Sequence, residues 1–106
     1  MATTLNDDEV KIKPAITSLE CEEMLNEALA YIAKKSIKQA RIMYSHFKQI
    51  LKLLEKQPKI GTKYFNDMRK MLLGKFPYYI YYIEQEECIY IVGIWHTSRG
   101  TEFIYR

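Results

Sequence analysis

Between residues 37 and 56 apolar side chains recur in steps of three and four: Ala40, Met43, Tyr44, Phe47, Ile50, Leu51 and Leu54. That is the period of one helix face, and it predicts a helix from Ile37 to Lys56. Ser36 and Gln39 have capping-box spacing at its start, and Pro58 and Gly61 end it. A weaker repeat at Leu25, Ala28, Leu29 and Ile32 predicts an earlier helix over residues 18–33, with Thr17 and Glu20 as its capping box. The link between the two helices is short, so they must fold back as an antiparallel hairpin. From Lys63 the texture changes. The runs 64–72, 76–83 and 88–95 are rich in Tyr, Ile and Val and predict strands. Short polar or glycine-bearing links join them, which predicts an antiparallel meander. Residues 10–16 alternate apolar and basic, as in a short strand, and Pro14 confines that strand to an edge or its end. A last short strand is expected over 101–105. The expected fold is α+β: an antiparallel helical hairpin packed on a three- to five-stranded antiparallel sheet. The expected core is Leu25, Leu29, Ile32, Ala40, Met43, Tyr44, Phe47, Leu51, Leu54, Ile80, Ile91 and Ile94.

A chain of 106 residues has material for one core, so residues 10–106 read as a single domain behind a flexible tail, 1–9. No stretch approaches the roughly 18 apolar residues of a membrane span. The polar, acidic start has no apolar segment of the export type, which predicts a cytoplasmic protein. Cys21 and Cys88 are too few for a disulfide scaffold and are expected to be free thiols.

The net charge of +3 conceals a split. Residues 1–33 carry Lys11 and Lys13 against seven acids, giving −5, whereas residues 34–106 carry 14 bases and 6 acids, giving +8. Away from the apolar face of the second helix, Lys34, Lys38, Arg41, Lys48, Lys52 and Lys56 form a basic stripe. Such a stripe is either a solvated face or a surface for a polyanion or an acidic protein. Lys38, Arg41, Lys48 and Lys52, with Lys75 at a turn and Tyr82 in a tyrosine-rich strand, are the expected residues for binding a partner or nucleic acid.

Most catalytic patterns are absent: there is no phosphate-binding glycine loop, no GxSxG and no HExxH. The cysteines and histidines make no ligand spacing, so neither a metal nor another cofactor is expected. His96 is the notable titratable group, at the end of a predicted strand with Arg99 three residues on. A cluster of Arg69, Lys75, His96 and Arg99 would suit a phosphodiester, because cations stabilise the charged transition state and histidine moves a proton. The competing account has His96 ending a strand and the cations solvated. In the run 78–82, alternate tyrosines face opposite sides of a strand. One set would pack under the helices, and the other would offer stacking surface.

Pro58-Lys59-Ile60-Gly61, Met68-Arg69, the segment Gly74-Lys75-Phe76-Pro77-Tyr78-Tyr79-Ile80-Tyr81-Tyr82, and Ile94-Trp95-His96-Thr97-Ser98-Arg99 together resemble the RelE/ParE toxins of type II toxin–antitoxin systems. The resemblance runs from about Val10 to Arg99. It implies a small cytoplasmic bacterial toxin of the plasmid-stabilisation type. A cognate antitoxin would hold it in check within a hetero-oligomer. RelE-like members cut mRNA on the ribosome without a metal, and ParE-like members bind and poison DNA gyrase. Catalysis by His96, Arg69 and Arg99 applies only to the nuclease alternative. Nuclease members commonly carry an arginine where this chain has Pro77 to Tyr81, and no clear glutamate base accompanies the histidine; Asp67 is a loose candidate. A phenol near pKa 10 is a poor phosphate clamp. The resemblance therefore leans toward a ParE-like, non-enzymatic toxin.

Overall fold

A computed structural model describes residues 12–98. Strand β1 (Ala15–Thr17) leads into helices α1 (Leu19–Ala33) and α2 (Ile37–Lys56), followed by strands β2 (Thr62–Phe65), β3 (Met68–Leu73), β4 (Phe76–Glu84) and β5 (Ile89–His96). The two helices pack on one face of a five-stranded sheet of order β1-β5-β4-β3-β2. The α+β architecture matches the expectation from the sequence.

Strands β2 to β5 form the predicted antiparallel meander, and β1 adds to its far edge parallel to β5. The sheet is thus mixed. The three hairpins from β2 to β5 leave β5 antiparallel to β2. The helical hairpin leaves β2 antiparallel to β1, so β1 and β5 run the same way. Pairing starts at Ala15, later than the expected start of the strand. Pro14 has no N–H to give the ladder; its carbonyl instead accepts the Ile89 N–H at 2.8 Å. Val10, Lys11 and the segment expected as a last strand lie outside the described residues.

The single strand expected over 64–72 is a hairpin. Phe65 pairs with Met68 across a two-residue turn, and Asn66 at its tip takes φ 54°. Asparagine tolerates that left-handed conformation better than most residues, so Asn66-Asp67 is a turn signal inside an otherwise strand-like run.

The caps differ by one position at α1. Ser18, not Thr17, is the N-cap: its hydroxyl oxygen accepts the Cys21 N–H at 2.9 Å and its O–H donates to the Val92 carbonyl at 2.9 Å. Thr17 is still in β1, paired with Ile91, and its hydroxyl donates to Glu22 instead. At α2, Ser36 accepts the Gln39 N–H at 3.1 Å as expected.

The core joins Leu25 and Ala28 of α1, Met43, Phe47, Ile50 and Leu54 of α2, and Tyr78, Ile80, Tyr82, Ile89, Ile91 and Ile94 of the sheet. Leu29, Ile32 and Leu51 pack at its margin. Tyr44 departs from expectation. It is 45% exposed on the flank of α2 that faces α1, with the Lys48 ammonium 5.4 Å from its ring centroid.

Candidate functional site

Arg69 on β3 stands directly across from Tyr82 on β4. Its guanidinium donates to the Gly61 carbonyl at 2.7 Å and to the Lys59 carbonyl at 3.2 Å. Tyr82 is fully buried; its hydroxyl accepts the Gly61 N–H and donates to the Pro58 carbonyl, both at 2.8 Å. The two side chains therefore clamp the turn that ends α2. A Cβ on Gly61 would come within 2.5 Å of the Tyr82 hydroxyl, so this contact requires glycine there. Burial pushes the Tyr82 phenol up from its ordinary 10, against the opposing effects of the Gly61 hydrogen bond and Arg69. Tyr82 thus presents no ring surface to a partner, unlike the binding role expected for it.

The same end of β4 carries Glu84, whose carboxylate accepts from Lys59 at 2.8 Å and from Lys13 at 3.0 Å. These bonds, Lys59 first, hold its carboxyl below the usual range.

His96 lies at the opposite end. It pairs with Tyr78, whose ring meets the imidazole edge-on at 5.1 Å and 80°. Tyr78 and Tyr82 are four residues apart on one strand, so His96 and Arg69 are separated by about 13 Å along the sheet and two strand spacings, about 10 Å, across it. The expected cluster is divided. Lys75, exposed in the β3–β4 turn, shares the His96 end of the sheet, because β4 begins there. Arg69 does not, and Arg99 lies outside the described residues. Asp67 sits exposed in the β2–β3 turn, beyond the Arg69 end.

His96 lines a cavity of about 490 Å³ between α1 and the ends of β4 and β5, with Glu27, Tyr31 and Tyr78 among its polar walls. Glu27 and Tyr31 carry no sequence signal of their own, because only the packing of α1 against β5 brings them to the histidine. His46 packs edge-on against Phe76 at 5.9 Å and closes over Gly74. Gly74 takes φ 59°, which suits the tight β3–β4 turn.

Lys38, Arg41, Lys48 and Lys52 are all exposed along α2. Among the described residues the ion pairs are only those of Glu84, so the stripe carries no neutralising carboxylate. Beside it the seam of the two helices is apolar, lined by Leu29, Ala33, Ile37, Ala40 and Tyr44. The sheet face away from the helices carries Tyr79 and Lys70, whose ammonium lies 4.4 Å from the Tyr79 ring centroid. Tyr64 and Tyr81 meet edge-on at 5.3 Å beside them.

No group of three or more His, Cys, Asp or Glu side chains among the described residues is placed to hold a metal. No helix among them is long and apolar enough to cross a membrane.

Residues 16–100 match the family described as the ParE toxin of the type II toxin–antitoxin system parDE. The chain belongs to the ParE toxin family. The match spans both helices, strands β2 to β5 and all of β1 but Ala15, and includes the Pro58–Gly61 turn with its Arg69 and Tyr82 clamp. This ParE-family chain is therefore a toxin of a type II toxin–antitoxin system, and a cognate antitoxin is its implied partner. No curated protein matches it significantly.

Proposed function

We propose that this toxin acts by binding and poisoning DNA gyrase rather than by cutting RNA, and that its antitoxin neutralises it by forming a hetero-oligomer. The observation that carries this is the fate of Arg69. A cation that stabilises a phosphodiester transition state must stand within hydrogen-bonding reach of the reacting group. Arg69 is bonded to two loop carbonyls at one end of the sheet, and His96 is at the other end. The described residues bring no arginine to the imidazole.

The helical hairpin is the surface we assign to the antitoxin. Its apolar seam beside the unneutralised stripe Lys38, Arg41, Lys48 and Lys52 fits an amphipathic helix that carries acidic residues along one edge.

The deciding experiment has two arms. The purified protein is added to gyrase with relaxed plasmid and, separately, to translating ribosomes. Inhibited supercoiling with intact message is the expected result. Cleaved message with unaffected supercoiling would refute the proposal, and loss of that cleavage in His96→Ala would establish the nuclease alternative.

A further inference from the structure

We propose that the cavity between α1 and the ends of β4 and β5 receives the guanidinium of an arginine side chain carried by a bound protein partner. The inference depends on the toxin reading only for the existence of such a partner; the chemistry of the cavity stands alone.

Tyr78 provides the first observation. It is only 9% exposed, yet its hydroxyl makes no hydrogen bond with any described residue, and it lines the cavity. Buried phenols normally find a partner, because an unmade bond leaves the desolvation cost uncompensated. Tyr82, on the same strand and the same face, makes two such bonds. Burial, and then the neighbouring Tyr31, push the Tyr78 phenol above its ordinary 10, so it stays a neutral donor and acceptor.

His96 is already oriented. Its Nδ1 accepts the Ser98 backbone N–H at 3.1 Å and lies 2.8 Å from the Ser98 hydroxyl. A ring nitrogen that accepts from an amide carries no proton, so the neutral imidazole has its hydrogen on Nε2. The ring lines the cavity and offers it a π face.

The remaining wall decides the sign of the ligand. Among the described residues Glu27 is the one carboxylate lining the cavity. Glu20 and Glu23 precede it on α1 at spacings of seven and four, so successive turns add negative charge to that flank. A nucleotide phosphate would be repelled there, and a cation attracted. The Tyr31 ring already lies 5.7 Å from the chain's own Lys35 ammonium. A guanidinium suits the site better than an ammonium. It stacks on aromatic faces, pairs in fork geometry with a carboxylate and has further donors for the phenol oxygens. Met24, Ala28 and Ile94 supply apolar walls for the methylene stem.

The probe is N-acetyl-arginine methylamide, titrated into the full chain and followed by NMR at the rings of Tyr31, Tyr78 and His96. Saturable shifts at these rings are expected, with none from the neutral citrulline analogue. Glu27→Gln should weaken binding by roughly tenfold or more, since it removes a charged hydrogen bond. Tyr78→Phe should weaken it by roughly two- to tenfold, the worth of a neutral hydrogen bond, without lowering the thermal midpoint of the free chain. That combination separates a ligand contact from a structural one. Equal binding of the citrulline analogue, no shifts at the three rings, or the same shifts from GMP would each overturn the proposal. So would binding that appears only after residues 99–106 are deleted. The gyrase and ribosome assays leave these outcomes untouched, so failure of either proposal is recognised separately.

Discussion

Tyr78 and Tyr82 lie on the same strand, face the same core and are both buried, yet of the two only Tyr82 has its hydroxyl bonded to a described residue. Replacing each with phenylalanine removes one oxygen and should give opposite results. In Tyr82→Phe the buried Gly61 N–H and the half-buried Pro58 carbonyl each lose a partner. An orphaned buried polar group costs about 1–3 kcal/mol, and the Pro58 carbonyl belongs at the low end, so the expected loss is about 2–3 kcal/mol. For a domain of this size that corresponds to a fall in melting temperature of roughly 8–20 °C. Tyr78→Phe removes a hydroxyl that has no partner among the described residues, so stability should hold or rise. Urea unfolding followed by circular dichroism measures both, and the slope shows whether unfolding remains two-state. Amide exchange at Gly61 adds a local readout, because Tyr82→Phe should accelerate it by releasing the turn. Equal losses in the two variants would refute the account of the clamp. So would an undiminished melting temperature in Tyr82→Phe.

Three further outcomes follow from individual contacts. Glu84 has its carboxyl lowered from 4.5 by Lys59 and Lys13, so its pairs stabilise the fold above that value and fade as pH falls through the folded value. Glu84→Gln should flatten the acid limb of a pH–stability curve and lower stability at neutral pH. Burial, with Glu22 nearby, pushes the Cys21 thiol to about 12, whereas Cys88 is half-buried. Iodoacetamide should therefore label Cys88 in the native protein and reach Cys21 only at the rate of global opening, as read by mass spectrometry. Ser18→Ala loses both a helix cap and a part-buried bond to Val92 and should cost about 1–3 kcal/mol, against about 1 for Ser36→Ala; equal melting temperatures would remove the Val92 bond from the account.

Both helices and the strand-rich half were legible because periodicity and capping act locally. The α2 boundaries and its Ser36 cap follow directly from spacing. The slip at α1 has a tertiary cause. Thr17 and Ser18 are both good N-caps, and the choice falls to Ser18 because Thr17 is committed to the ladder with Ile91. The split of one expected strand into β2 and β3 was written in Asn66-Asp67, which the surrounding β-favouring residues concealed. The site was less legible, for a reason of distance. Arg69 and His96 belong to neighbouring hairpins in sequence, and a pattern of residue types does not say which end of a sheet each occupies. Likewise the meeting of Glu27 and Tyr31 with His96 depends on how α1 lies across β5.

Pro58, Lys59, Gly61, Arg69 and Tyr82, five of the residues that carry the family resemblance, build one turn. Pro58 and Gly61 shape it, Tyr82 bonds both, and Arg69 bonds the carbonyls of Gly61 and Lys59. Such a unit commits Arg69 to the loop carbonyls rather than to a phosphate, and its perturbation tests that assignment. If Arg69 acts only through the turn, Arg69→Ala and Tyr82→Phe damage the same structure by different routes. Each should lower the melting temperature, and in each the residual activity per folded molecule should stay near that of the parent. Arg69→Lys should keep part of the stability that Arg69→Ala loses, because both carbonyls accept from one guanidinium nitrogen, Nη1, and an ammonium also has donors for two acceptors. If Arg69 instead stabilises a phosphate, the two variants part company. Losing a transition-state donor costs roughly 10²- to 10³-fold in rate, with no matching loss in Tyr82→Phe. Supercoiling inhibition and message cleavage, each normalised to the folded fraction by circular dichroism, measure the comparison. A hundredfold deficit in Arg69→Ala beside a near-normal Tyr82→Phe would return Arg69 to the reaction and sink the structural assignment.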